Sequence, residues 1–355
     1  MKIGIFTKMD LCGGSEARAI ELCNAIVTYT DHESYLFTEK DIPDRLEKAL
    51  DPRVKLYKNL FLPSPNNIEK LYDLDVLLVI STDSKSYTLS DFWEGRSEKH
   101  GTKVDLHKIK KMVFLFNFLV SPARHLYTIE RYVRDIKIIT ANTKFFEEIS
   151  KQDRYELVRH FPRMILESPI NPDLYDSQKT ESEILRFGFH SKNPDNKWND
   201  DIPKLIEKCR IRLGQRVNFD FMGMNSKRAR EVRAIDRKTT LRQENEISVR
   251  EYLHGIDIFM FFPSYSRSEP WSRCLGEAMM SGCPIITTDK GGNKDQVVHG
   301  NNGFLCKSTN DFFKHIVYLT ENREKIVQMS KNSLLLARHF TSENVIKRFI
   351  DFVEN

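Results

Sequence analysis

The sequence predicts an α/β protein of two domains, each built on a parallel sheet covered by helices. Three observations carry that prediction. Short, nearly all-apolar runs such as KIGIF, DVLLVIS, KMVFLF and DIFMFFPS have strand length without polar alternation, the mark of strands buried on both faces. Amphipathic stretches lie between them, so strands and helices alternate along the chain. The length of 355 residues, at 40% hydrophobic composition, is enough for more than one core.

Taken in order, KIGIF opens as a strand, and residues 16–27 place Ala19, Ile20, Cys23 and Ile26 on one helical face. SYLFT, VKLY, DVLLVIS, KMVFLF and IKIITAN then read as further strands. The pattern breaks at residues 167–183, ESPINPDLYDSQKTESE, a polar and Pro-containing stretch with linker composition. A second alternating set follows through ILRFGFHS, a helix carrying Ile202, Leu205 and Ile206, then VNFDFMG, DIFMFFPS and PIITT. The tail from Thr341 to Asn355 has Val345, Ile346, Phe349 and Ile350 at helical spacing. The predicted layout is a Rossmann-like domain over 1–168, a linker over 169–183, a second Rossmann-like domain over 184–340 and a last helix over 341–355. No internal repeat or low-complexity tract interrupts it.

The most informative segment is 268–286, SEPWSRCLGEAMMSGCPII, which places Glu269 and Glu277 eight residues apart around a strand-to-helix turn. DIFMFFPS precedes it as a buried strand; Leu275, Ala278, Met279 and Gly282 recur at helical spacing, and PIITT resumes as a strand. Glu269 therefore falls in the loop, and Glu277 about two turns into the helix, at 3.6 residues per turn. The backbone N–H groups of Trp271, Ser272 and Arg273 would lie at the helix start, where unpaired donors and the helix dipole favour an anion. A phosphate between two carboxylates that grip hydroxyls describes a nucleotide-sugar pocket.

This segment resembles the E-x7-E motif of the retaining family-4 glycosyltransferases of the GT-B fold. Residues 291–306, GGNKDQVVHGNNGFLC, resemble a second motif of that family, with Asp295 where a Glu is usual. The paired glycines allow close backbone approach to a ligand, and Asn302-Gly303 has the chemistry of a turn. CGGSEARA, residues 12–19, follows the first strand and is similar to the family's glycine signature, with Gly13 and Gly14 in the turn. FGFHSKNPDNKW opens the second domain where the family has an arginine and, some five or six residues later, a lysine. Lys197 matches the lysine; Lys192 stands at the arginine's place, supplying charge without the bidentate fork of a guanidinium. Asn117 stands where the family often presents a histidine beside the donor sugar; it hydrogen-bonds but has no cationic form at pH 7. His125, eight residues later, reads as a helix-surface histidine rather than a replacement.

The resemblance implies two Rossmann-like domains with their sheets facing a central cleft, and a last helix that crosses back onto the N-terminal domain. It implies transfer of a sugar from a nucleoside diphosphate to a hydroxyl, with retention at the anomeric carbon. Lys197, Lys192 and the helix start at Trp271–Arg273 would stabilise the leaving diphosphate. Glu269 would hold sugar hydroxyls and Glu277 the ribose hydroxyls. The diphosphate oxygen would accept the acceptor's proton, so no nucleophile–base pair, cofactor or metal is expected.

The remaining features bound the setting. A net charge of +5, with both signs mixed among 30% charged residues, demands no particular polyanionic partner. The N-terminus lacks the apolar length of a signal peptide, and no apolar run approaches the roughly 20 residues that cross a bilayer. Six cysteines without C-x-x-C spacing are expected as reduced thiols in a cytoplasmic protein. Asp73-Leu74-Asp75 spells a metal-binding D-x-D of another transferase fold but immediately precedes a strand, and is expected to be a strand-entry pair. SKRAREVRAIDRK, 226–238, reads as the solvated face of a helix, with phosphate binding the alternative. The default acceptor is a glycan or lipid-linked saccharide met at the inner face of the membrane, where peripheral contact is compatible with the sequence. The alternatives are a bacteriophage-type transferase acting on hydroxymethylated DNA and a nucleotide-sugar binding protein without turnover.

Overall fold

The computed structural model describes residues 1–9, 14–60, 65–81, 104–116, 126, 129–152, 156–175, 179, 182–192, 197–266 and 268–355. The chain divides into two compact units, Met1–Pro169 with Ser342–Asn355, and Ile170–Thr341.

The first unit holds a seven-stranded parallel sheet: β1 (Lys2–Thr7), β2 (Glu33–Thr38), β3 (Lys55–Tyr57), β4 (Val76–Ser81), β5 (Lys111–Phe116), β6 (Asp135–Thr140) and β7 (Arg163–Ile165). Their spatial order is β3-β2-β1-β4-β5-β6-β7, and every described pairing is parallel. The apolar runs form the interior strands because both faces are covered: Ile3, Ile5, Leu77, Leu78, Met112, Val113, Ile138 and Ile139 are all buried. The helix Gly14–Tyr29 buries Ala19, Ile20, Cys23 and Ile26, the face its spacing marks. The C-terminal helix Ser342–Glu354 packs on it through a stripe that includes Val345, Ile346 and Phe349. Asp75 sits at the entry of β4, where its carboxylate accepts from the backbone N–H of Lys2 at 2.8 Å and from Lys110 Nζ at 2.8 Å.

The second unit holds a six-stranded parallel sheet: β8 (Leu185–His190), β9 (Val217–Met222), β10 (Thr240–Arg242), β11 (Ile258–Phe261), β12 (Ile285–Thr288) and β13 (Gly303–Cys306). The order is β10-β9-β8-β11-β12-β13. The chain thus winds one way from β8 to β10 and the other way from β11 to β13. The point where it reverses lies between the adjacent strands β8 and β11. In open parallel sheets ligands bind beyond the carboxyl ends of the strands at such a point.

Three short strands, β7, β10 and β13, go beyond the sequence reading. The last sharpens it: the turn covers residues 300–302, so it holds Asn302 but not Gly303. Its positive φ of +79° falls at Gly300, while Gly303 opens β13 and pairs with Ile285. A Cβ on Gly303 would collide with the Ile285 carbonyl, so glycine is needed there for close strand approach. The stretch read as a linker is docked on the second unit at its described residues. Ile170 donates its N–H to Phe340 O at 3.0 Å, Tyr175 is buried, and buried Lys179 donates to Leu253 O at 2.6 Å. Five described cysteines, 23, 209, 274, 283 and 306, are free thiols. No described helix is long and apolar enough to cross a membrane.

Candidate active site

The site residues predicted in the second unit converge on the carboxyl ends of β8 and β11. Strand β8 ends at His190, and its continuation carries Ser191 and Lys192. Gly223, at φ +84°, lets the loop after β9 press on Ser191; a Cβ there would overlap the Ser191 carbonyl. The indole Nε1 of fully buried Trp198, next to Lys197 in the chain, donates to Lys192 O at 3.2 Å. Asn199 fixes the other side, with its N–H on Phe262 O at 3.1 Å and its Nδ2 on Pro263 O at 2.9 Å.

Lys197 and Glu269, expected to serve diphosphate and sugar separately, form a direct ion pair between Nζ and Oε1. Both side chains are largely buried. Glu277, in the helix Arg273–Met280, accepts on Oε1 from Arg273 Nε at 2.8 Å and from Tyr175 OH at 3.2 Å. Its Oε2 lies 3.8 Å from Nε2 of His190. Each acidic residue thus has its own basic partner, one drawn from a distant loop and one from the same helix. The Lys192 ammonium has no ion pair among the described residues.

The helix start is less open than the sequence implied. The backbone N–H of Ser272 donates to Gln296 Oε1 at 3.0 Å, and Gln296 Nε2 returns a bond to Ser272 O at 2.9 Å. That N–H is therefore engaged by protein in this state. The ring of Trp271 is packed over Gly276 and against Phe340, with centroids 5.5 Å apart. The paired glycines pack closely on the preceding turn. A Cβ on Gly292 would fall on the Pro270 carbonyl, and one on Gly291 would collide with Glu269 O and meet Ser268 Oγ at 2.6 Å. Gly292 donates its N–H to Glu269 O at 2.9 Å. The two glycines let the second motif brace the turn that carries Glu269. Asp295 is exposed on the short helix Asn293–Gln296.

In the first unit Gly14 begins its helix. Gly13, Asn117 and His125 lie outside the described residues. Arg228, in the basic stretch, is buried and paired with Asp200 and Glu231, so its charge is engaged within the protein. Sequence reasoning missed Tyr175, Gln296 and His190. Tyr175 was hidden in an apparent linker, Gln296 was overshadowed by Asp295, and only its place at the end of an apolar strand could have marked His190.

Cations and carboxylates thus meet at the switch point of a Rossmann-like sheet, where such folds bind ligands. Residues 196–334, all within the second unit, match the family model for glycosyl transferases group 1. Curated trehalose synthases of Thermococcus litoralis and Pyrococcus furiosus are each 31% identical over 88 residues. That match covers 24% of this chain and about a fifth of the relatives' length (21%). The whole chain superposes on solved structures. HepE of Anabaena, crystallised with UDP, gives a TM-score of 0.74 at 15% identity, covering 100% of both chains. Its complex with UDP-glucose gives 0.73 at 15% identity, over 100% of this chain and 99% of the other. A glycosyltransferase from Rickettsia africae gives 0.74 at 14% identity, over 99% and 97%. The chain has the GT-B fold of these proteins.

Proposed function

We propose that the protein transfers a sugar from a nucleoside-diphosphate sugar to a hydroxyl acceptor, with retention at the anomeric carbon. The observation that carries this reading is the paired arrangement at the β8–β11 switch point: Lys197 with Glu269, and Arg273 with Glu277. A solvent-shielded cation held against a carboxylate is a preorganised donor for developing negative charge. On donor binding Lys197 turns from Glu269 to the diphosphate, joined by Lys192, and Glu269 is released to accept hydroxyls of the sugar. Glu277, steadied by Arg273 and Tyr175, accepts from the ribose.

The chemistry follows from those positions. The bond from the anomeric carbon to the diphosphate oxygen breaks with its electron pair passing to the diphosphate, whose charge the two lysines stabilise. The acceptor oxygen bonds to the same face of that carbon, and its proton passes to the departing diphosphate oxygen. The lysines supply the positive charge, so the step calls for no metal or cofactor. Uridine diphosphate is the first nucleotide to test, because HepE was crystallised with UDP and with UDP-glucose. A glycan or lipid-linked saccharide is the acceptor class, met by a cytoplasmic enzyme at the membrane's inner face.

The direct test is thermal unfolding with UDP, GDP and ADP and their hexose conjugates, in metal-free buffer. One sugar nucleotide should stabilise the protein beyond its bare diphosphate, by about 2.7 kcal/mol at a hundredfold excess over Kd. No stabilisation by any of them would defeat the proposal. Slow release of free sugar from the bound donor would separate an enzyme from a mere binding protein.

A further inference from the structure

We infer that His190 is a ribose-recognising residue: its Nε2 and Glu277 Oε2 together hold one hydroxyl group of the donor's ribose. The inference rests on the donor reading above and adds a residue that no motif marks.

The argument begins with an unmet hydrogen bond. His190 is 8% exposed, and its Nε2 is buried without a hydrogen-bond partner. A buried polar atom left unpaired is costly, so each one calls for an explanation; this one lies against a carboxylate of the donor site. The ring has little freedom to seek another partner. It stands edge-on to Tyr252, centroids 5.6 Å apart, and to Phe259 at 5.4 Å, and its backbone is held in β8 opposite Met222.

What Nε2 faces is equally fixed. Glu277 Oε1 is held by Arg273 and Tyr175, which leaves Oε2 towards the histidine at 3.8 Å. That gap is too long for a direct hydrogen bond. A hydroxyl oxygen about 2.8 Å from each would bridge them, donating its proton to Oε2 and accepting from Nε2–H. A sugar hydroxyl, at once donor and acceptor, is the group that satisfies both.

The charges around the ring agree with this role. The titratable groups facing it are Glu277 from the Arg273 helix and Tyr252 from the helix Val249–His254, with Arg273 and Tyr175 behind Glu277. Burial pushes the imidazole down to about 4, so it is neutral at physiological pH. A neutral ring with its proton on Nε2 donates one hydrogen bond without adding a second positive charge beside Arg273.

The test is a cycle of protein and ligand changes read by calorimetry. Kd is measured for UDP, 2′-deoxy-UDP and 3′-deoxy-UDP with wild type, His190→Phe and His190→Gln. Phenylalanine keeps the aromatic packing; glutamine keeps a donor. Wild type should lose about tenfold in affinity for one of the deoxy analogues, the worth of one good hydrogen bond. His190→Phe should bind UDP about tenfold more weakly and no longer distinguish UDP from that analogue. His190→Gln should recover most of the discrimination. Equal losses for UDP and both analogues in His190→Phe would mean a purely structural histidine and would overturn the inference, as would unchanged UDP affinity. Failure of the wild type to bind UDP, GDP or ADP would instead remove the donor reading, and this inference with it.

Discussion

The two units share a winding order and differ in how they use charge. Both sheets place the first strand in the middle, two strands on one side and the rest on the other. In the first unit, buried cations are spent on carbonyls. Arg18 donates to Leu166 O and, at 3.2 Å, to Glu167 O. Lys137 donates to Phe352 O at 2.7 Å, and half-buried Lys111 donates to Val353 O while also pairing with Asp135 at 3.0 Å. These bonds fix chain ends and helix ends. The second unit has such a cation too, Lys179 on Leu253 O, but at the strand ends of its switch point Lys197 and Arg273 are paired with carboxylates. A carbonyl partner cannot be exchanged without opening the fold, whereas a carboxylate partner can be traded for a phosphate. The topology creates the crevice, and under the proposed function the choice of partner is what would make the second unit a donor site.

The sharpest way to break this comparison is to remove one member of the exchangeable pair. Lys197→Ala or Glu269→Ala should abolish transfer, by about 10²–10³-fold or more in kcat, since each removes a preorganised electrostatic contact. The fold should survive, because this pair is not what closes the unit's core. Turnover near the wild-type value in either variant, measured with the donor that the thermal panel selects, would sink the assignment of this pair.

A second effect, of about 3 kcal/mol at most, separates the site's own stability from its chemistry. His190 titrates near 4 in the folded protein and near 6.5 when unfolded. The unfolded chain therefore binds the proton more readily. Stability from this residue is complete above pH 6.5 and is lost as pH falls from 6.5 towards 4. Glu277 at 3.8 Å pulls the other way, but burial dominates. Urea unfolding at pH 7 and pH 4.5 should show wild type losing more stability than His190→Phe. Parallel losses in the two proteins would show that the imidazole is not held neutral.

How much of this was legible in the sequence depends on the separation of the partners. Glu269, Glu277 and Lys197 are visible because strand, turn and helix follow each other within short, strongly patterned windows. Arg273 with Glu277 is a pair four residues apart on one helix, the kind that spacing alone suggests. Tyr175 meets Glu277 from 102 positions away, and Gln296 clamps Ser272 from 24. No periodicity records such contacts. Composition is silent on two further packings. From Ile170 onward the polar stretch belongs to the second unit, where Tyr175 and Lys179 are buried. The glycines at 291 and 292 are packed closely on the backbone of Glu269 and Pro270. Strands β7, β10 and β13 have three or four residues each, too few to show a pattern of their own.

The smallest predicted effect tests the first unit's side of the comparison. Lys137 is buried on β6, with its ammonium 5.2 Å from the Phe352 ring centroid and bonded to the Phe352 carbonyl. Burial holds its pKa below the ordinary lysine value. The carbonyl belongs to the last turn of the C-terminal helix, where a cation complements both the unpaired oxygens and the helix dipole. Lys137→Met keeps the volume and removes charge and bond together. Losing a charged hydrogen bond costs about 1.5–3 kcal/mol, and relief from burying an ammonium returns part of it. The expected net loss is about 1 kcal/mol in urea unfolding, with UDP affinity unchanged. An equal or greater stability would show that the lysine is tolerated rather than structural. A fall in UDP affinity would couple the two units' charges and dissolve the distinction between fixed and exchangeable partners.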